Sequence, residues 1–347
     1  MPTPTDRPAG ARSTFPARLA LTLALLAGAA LALKLADVLL LVFGAVLVGV
    51  LLHAIAEPLQ ARLKFSRTVS LVAAVVVLAA MIAVLTWAFG RQVEAQLASL
   101  TRLLPGAWEA LKTRLSSSPL GGLVVWPKPD GAWLSFAPRV AADAAGAVAA
   151  LVIVCFAGLY FAFHPTTYVA GLLRLVPPGV RTRAAEVLAA VHAALRQWLL
   201  GQLLSMVIVG ATTGLGLWLV GVPSAVGLGV IAGAGQFIPV VGPLAATIPG
   251  LILALAAGPE TFALAAAVYF GASLTEANVI TPLVLRQLAQ LPMAVTLFAV
   301  LGMGVLLGPL GVLFATPLAV VAYVLVREIY VRDVLGDREP EAPPSGA

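Results

Sequence analysis

The 347-residue chain is 61% hydrophobic and only 10% charged, with a mean hydropathy of +1.03, whereas a soluble domain is roughly half apolar and a quarter charged. That excess cannot be hidden in one core, so a water-soluble globular protein is excluded and an all-α polytopic membrane protein is expected. The net charge of +6 points away from nucleic acid, because the basic residues fall in loops and at helix ends rather than on one clustered surface; that placement suits the headgroups of a lipid bilayer.

In chain order, residues 1–14 form a Pro-, Thr- and Arg-rich tail with a disordered composition. Residues 15–89 hold three apolar runs, each near the 20 or so residues that a bilayer requires. Leu19 to Leu33, behind Arg7, Arg12 and Arg18, reads either as a signal peptide or as one arm of a hairpin with Val38 to Ala56, and the hairpin is favoured. Pro58 is expected to end that second span. Arg62, Lys64 and Arg67 follow, and then Val69 to Phe89. Residues 90–143 carry charge and prolines. Leu97, Leu104 and Leu111, with Trp108 and Leu115 beside them, make an amphipathic helical stripe. It packs either within the chain or against a second copy, so a homo-oligomer stays open. Trp126 and Trp133 suit the membrane interface.

Residues 144–163 form a fourth span, stopped at His164-Pro165 and containing Cys155, the single cysteine, which reads as a small buried hydrophobe. Residues 164–198 form a linker with a turn at Pro177-Pro178-Gly179. Val187, Leu188, Val191, Leu195 and Trp198 then make one stripe, with Arg181, Arg183 and Arg196 off it. This reads as a basic amphipathic helix on the inner leaflet, with His192 an interfacial polar residue. Residues 199–331 form the C-terminal membrane domain: a fifth span (Leu199 to Val220), a broken run from Val222 to Ala257, a segment from Thr261 to Thr281, and a second broken run from Met293 to Val326. Residues 332–347 are a second disordered tail. With both termini inside, 14 of the 21 Lys and Arg residues fall in cytoplasmic segments, as the positive-inside rule asks.

Prolines and glycines interrupt both long runs. The first contains Gln236, Pro239, Gly242 and Pro243; the second contains Gly308, Gly311 and Pro317. Lipid offers the freed backbone groups no partner. Such breaks must therefore be buried in protein or line a wet cavity, the arrangement of broken helices in transporters. Two hairpins of opposite topology, related as inverted repeats, would bring the breaks together; two ordinary proline kinks are the alternative. Glu276, in a polar stretch with Ser273, Thr275, Asn278 and Thr281, is the acidic residue placed well inside a span, where a charge faces a cavity or partner. Gln202 and Gln236 are weaker site candidates that would serve equally as helix-to-helix glue.

These residues resemble the AI-2E (PerM) family of bacterial permeases. The resemblance covers about residues 15 to 335. It rests on Arg196 with Gly201-Gln202, on Ile238-Pro239-Val240-Val241-Gly242-Pro243, on Glu276 with Asn278 and Pro282, on Pro292, and on the segment from Gly308 to Pro317. It implies about eight membrane segments with a hydrophilic region after the third, and a location in the bacterial inner membrane. Two departures stand out: Ala277 follows Glu276 where the family often has an acidic residue, and Leu291 precedes Pro292 where it often has His.

A secondary transporter exporting a small polar solute, or a signal such as autoinducer-2, is the first functional expectation. A monovalent cation/proton antiporter using Glu276, with H+ or Na+ as partner, is the second, and a non-transporting oligomeric scaffold is the third. No His-Glu-x-x-His, Gly-x-Ser-x-Gly or Walker A motif occurs, so neither an enzyme, a cofactor nor a metal site is expected.

Overall fold

The structure is a computed structural model describing residues 34–80, 136–238, 241–280 and 292–337, with isolated positions 28, 30, 31 and 83. The expectations for the first tail, the second tail beyond residue 337, the first span, the stripe at Leu97 to Leu115, Trp126, Trp133, Pro239, Pro282 and Leu291 lie outside those residues, whereas Arg332 to Val334, expected in the disordered second tail, continue the last helix. Every regular element among the described residues is helical: α1 (Ala36–Leu63), α2 (Arg67–Ala80), α3 (Phe136–Phe163), α4 (Pro165–Arg174), α5 (Arg181–Leu219), α6 (Ala225–Gly235), α7 (Val241–Ala257), α8 (Pro259–Thr275) and α9 (Met293–Leu325). Among the described residues three helices are long and apolar enough to cross a membrane, or four if the bent pair α3–α4 counts as one. The first expected span and the end of the third lie outside the described residues, so the count of about eight is not tested.

Two expected boundaries dissolve. Pro58 lies inside α1, which runs on to a left-handed cap at Lys64. The amphipathic linker and the fifth span are one continuous helix, α5, of 39 residues. At 1.5 Å per residue it is about 58 Å long, nearly twice the roughly 30 Å hydrocarbon core. The apolar stripe of its first half does not lie free on a leaflet. Leu195 and Trp198 are buried, with Val191 beside them, among Leu47 and Val50 of α1 and Phe314 and Val320 of α9. The helix has a protein partner on that face, and Arg196 pairs with Glu57 of α1 at 2.6 Å.

The second half of α5 carries α6. Gly210 and Gly214 on α5 meet Gly229 and Gly233 on α6, so that a Cβ on Gly229 would press on Gly214 and on the Gly210 carbonyl. Small residues spaced four apart let two backbones approach where lipid supplies no hydrophobic drive. The chain then reverses. Gly235 and Gly242 face each other so closely that a side chain on either would strike the other's backbone. Ala232 of α6 and Ala246 and Leu253 of α7 share one core with Leu217 and Tyr269. α6 has 11 residues and α7 has 17, so each is shorter than a full perpendicular span.

A second reversal sits inside α9. Gly308 takes φ 64°, ψ −152°. Beyond it the Gly311 position packs against the Met303 carbonyl and Leu307, and Gly304 lies against Val312. In a straight helix residues 303 and 311 would be about 12 Å apart, so the chain has doubled back. The positive φ is one that glycine adopts without penalty, and the 33 residues cannot supply two 20-residue spans. The distal arm lies on the first half of α5. Past the apolar run it continues as a charged π-helical turn, Val326–Val334, where Arg183 of α5 binds Glu328 at 2.9 Å, Asp333 at 3.0 Å and Glu186 at 3.0 Å, and donates to the Glu328 carbonyl. The two hairpins thus approach α5 from opposite ends, and Phe237 from one turn shares an apolar cluster with Leu307 and Leu310 from the other.

Hydrogen bonds from Arg183, helped by Arg332 and opposed by burial, hold the Glu328 carboxyl below the usual glutamate range. Stability from this pair is complete above about pH 4.3, the ordinary glutamate value, and is lost as pH falls through the depressed folded value. Thermal unfolding in detergent from about pH 5 down to pH 3 should therefore fall less steeply in Glu328→Gln than in the parent; parallel profiles would refute the assignment. Gly229→Val should lower the unfolding midpoint at neutral pH, overpacking costing about 1–3 kcal/mol. Gly271→Ala, where a Cβ meets nothing within 4 Å, should hold or raise it, alanine being about 1 kcal/mol better in helices.

Candidate functional site

α6 ends at Gly235, and the last carbonyls of a helix lack intrahelical donors. In lipid that deficit must be met by protein. Gln202 of α5 meets it: its side-chain amide donates to the Gln236 carbonyl at 2.5 Å. Gln236 is itself buried at 4% exposure. The Glu276 carboxyl lies beside its side-chain amide, near enough for the two to interact. A polar chain therefore crosses three segments, from α5 through the tip of the first hairpin to the end of α8. Trp198 packs edge-on against Phe237 at 5.7 Å and closes the apolar side of the same tip.

Glu276 opens a π-helical turn, Glu276–Ile280. Such turns rearrange the backbone ladder and recur at functional sites. The other polar side chains of this stretch turn back on their own helix. Ser273 donates to the Tyr269 carbonyl at 3.1 Å, Thr275 to Gly271 at 2.9 Å and Asn278 to Leu274 at 2.9 Å. That local closure satisfies a hydroxyl or amide without a second helix. Glu276 is half-buried and reaches across, whereas Asn278 is exposed.

The remaining candidates divide by role. Gly242 supplies the close contact with Gly235, and Pro243 occupies the first turn of α7, where its missing N–H costs no helical bond; its carbonyl accepts from Thr247 at 2.8 Å. Gly308 and Gly311 make the reversal of the second hairpin. Thr316 and Pro317 are buried in its distal arm. The structure thus brings Gln202, Gln236 and Glu276 together, gives Gly242, Pro243, Gly308 and Gly311 a backbone role, and leaves Asn278 apart. The facing Gly210/Gly214 and Gly229/Gly233 pairs, which seat the first hairpin on α5, went unread in the sequence, although their four-residue spacing was there to find. Among the described residues no group of three His, Cys, Asp or Glu could hold a metal ion.

The profile of the AI-2E family transporters matches residues 19–331. This chain belongs to that family. The proteins it is similar to include two of Bacillus subtilis (strain 168) and one of Mycobacterium tuberculosis (strain CDC 1551 / Oshkosh). "Putative transport protein YrrI" is 28% identical over 152 residues, 44% of this chain and 43% of the relative. "Putative transport protein YueF" is 26% identical over 163 residues, 47% and 43%. "Putative transport protein MT0215" is 30% identical over 172 residues, 49% and 47%. The aligned part spans less than half the length of each of these relatives. The AI-2E family is one of membrane transporters rather than enzymes.

Gln202→Leu keeps the bulk of the side chain but leaves the Gln236 carbonyl without its donor. An unsatisfied buried acceptor costs about 1–3 kcal/mol. The unfolding midpoint should fall, and hydrogen exchange should quicken at residues 228–238 while residues 150–160 of α3 stay protected. Uniform change, or none, would remove Gln202 from this role.

Proposed function

We propose that this AI-2E family member is a secondary transporter that exports a small polar solute, a signal such as autoinducer-2 being the first candidate. The observation that carries the reading is the contact between Gln236, at the tip of a broken hairpin, and Glu276. Amide and carboxyl groups held at a helix break inside an apolar bundle can exchange their mutual interaction for bonds to a polar solute. The hairpins are the elements with short arms, 11 and 17 residues in the first, and so the ones best able to move. The reading places the protein in the bacterial inner membrane with both termini in the cytoplasm. The solute must come between the Gln236 amide and the Glu276 carboxyl, so binding and displacement of the tip are one event. A cation/proton antiporter is the second reading, favoured by Glu276 being an ionisable group at that tip.

Proteoliposomes preloaded with autoinducer-2 separate the two. Efflux should fall at least tenfold in Glu276→Gln and in Gln236→Leu, with Asn278→Ala close to the parent. Efflux untouched by Glu276→Gln would sink the first reading. Proton flux driven by a sodium or potassium gradient, present in the parent and lost in Glu276→Gln, would establish the second.

A further inference from the structure

α4 takes no part in the polar chain, yet its placement is unusual for a helix at the end of a membrane span. The apolar part of α3 ends at Phe163, and α4 leaves it at 86°. The bend has a local cause: the residue before a proline is pushed out of the helical region, and His164, before Pro165, sits at φ −126°, ψ 47°. A helix at right angles to a span runs parallel to the bilayer surface. With 10 residues it is about 15 Å long.

One side of such a helix faces back toward the hydrocarbon and the other faces water. The ring of Tyr168 packs on Phe161, two residues before the end of α3, with centroids 4.6 Å apart. That contact marks the Tyr168 side as the one turned back along the span. At 100° per residue, Val169 and Leu172 lie on the same side as Tyr168, and Thr167, Ala170 and Arg174 lie opposite. No residue of α4 is buried. Tyr168, Val169 and Leu172 are each 44–50% exposed, and Leu175, just past the end, is 82% exposed. Arg181 ties the far end down by donating to the Val176 carbonyl at 2.9 Å, which fixes the helix against the start of α5.

We propose that α4 is an interfacial helix, lying in the plane of the bilayer surface with Tyr168, Val169, Leu172 and Leu175 sunk into the boundary between headgroups and acyl chains. The occupant of this apolar face is lipid. Tyrosine favours that depth because its ring is apolar and its hydroxyl is wet, and an amphipathic helix in this position buries its apolar side about 5–10 Å deep. The membrane-surface helix is therefore α4, rather than the stripe at 187–198 that the sequence suggested. The α4 helix fixes the level at which α5 begins.

The test uses the full chain in liposomes of phosphatidylethanolamine and phosphatidylglycerol. Cys155→Ala removes the single cysteine, and a nitroxide is then placed at Leu172→Cys, Leu175→Cys or Ala170→Cys. The ratio of collisions with oxygen to collisions with a water-soluble nickel chelate should rise severalfold from position 170 to positions 172 and 175. Equal nickel access at all three would put this face in water, and shielding of 172 and 175 from both reagents would put another protein or a second copy on it; either result overturns the proposal. Both substituted leucines are exposed, so the variants should fold as the parent does.

Discussion

Everything in the C-terminal half depends on how the backbone is satisfied where helices break inside an apolar environment. A carbonyl freed at a proline or a helix end has no solvent to turn to. At the end of α6 that carbonyl belongs to Gln236, and a side chain from another helix supplies the missing donor. The break is therefore stable only while α5 and the hairpin tip stay in register. A bond that elsewhere would be one of many becomes, at this point, the condition for having a break at all.

Register is set by the glycines on α5 and α6. Their contact brings backbone against backbone, with no side chain between to absorb a shift. Sliding the helices by one residue would turn the glycine faces apart and move Gln202 off the tip. The distal arm of the second hairpin is held by another means, an arginine surrounded by carboxylates beyond the apolar run. One hairpin is thus seated by shape and the other by charge, and the two seats respond to different conditions.

The sequence disclosed the membrane class, the positions of both breaks and the two side chains, Gln236 and Glu276, that the structure places in contact. Composition and backbone chemistry are local properties, and a proline or a buried charge announces itself. Continuity was harder to read. α5 joins a charged amphipathic stretch to a uniformly apolar one, and the change of composition at residue 198 looks like a boundary although the helix runs through it. An apolar stripe also does not say whether it faces lipid or protein, which is why Leu195 and Trp198 were assigned to the membrane surface while α4 went unread. The direction of a side chain was equally out of reach. Nothing in the residue types told that Asn278 would bond its own helix while Gln202 reached across to another.

The length of α5 has a mechanical consequence. Arg183 and Gln202 sit on one uninterrupted helix, about 28 Å apart along its axis, so it behaves as a beam with a load at each station. Tipping the beam by five degrees about the clasp sweeps the far station sideways on the order of 2 Å, by the same helix length. A hydrogen bond does not survive a displacement of that size. Small angular changes at the charged end are thereby geared up into the making or breaking of a contact at the hairpin tip.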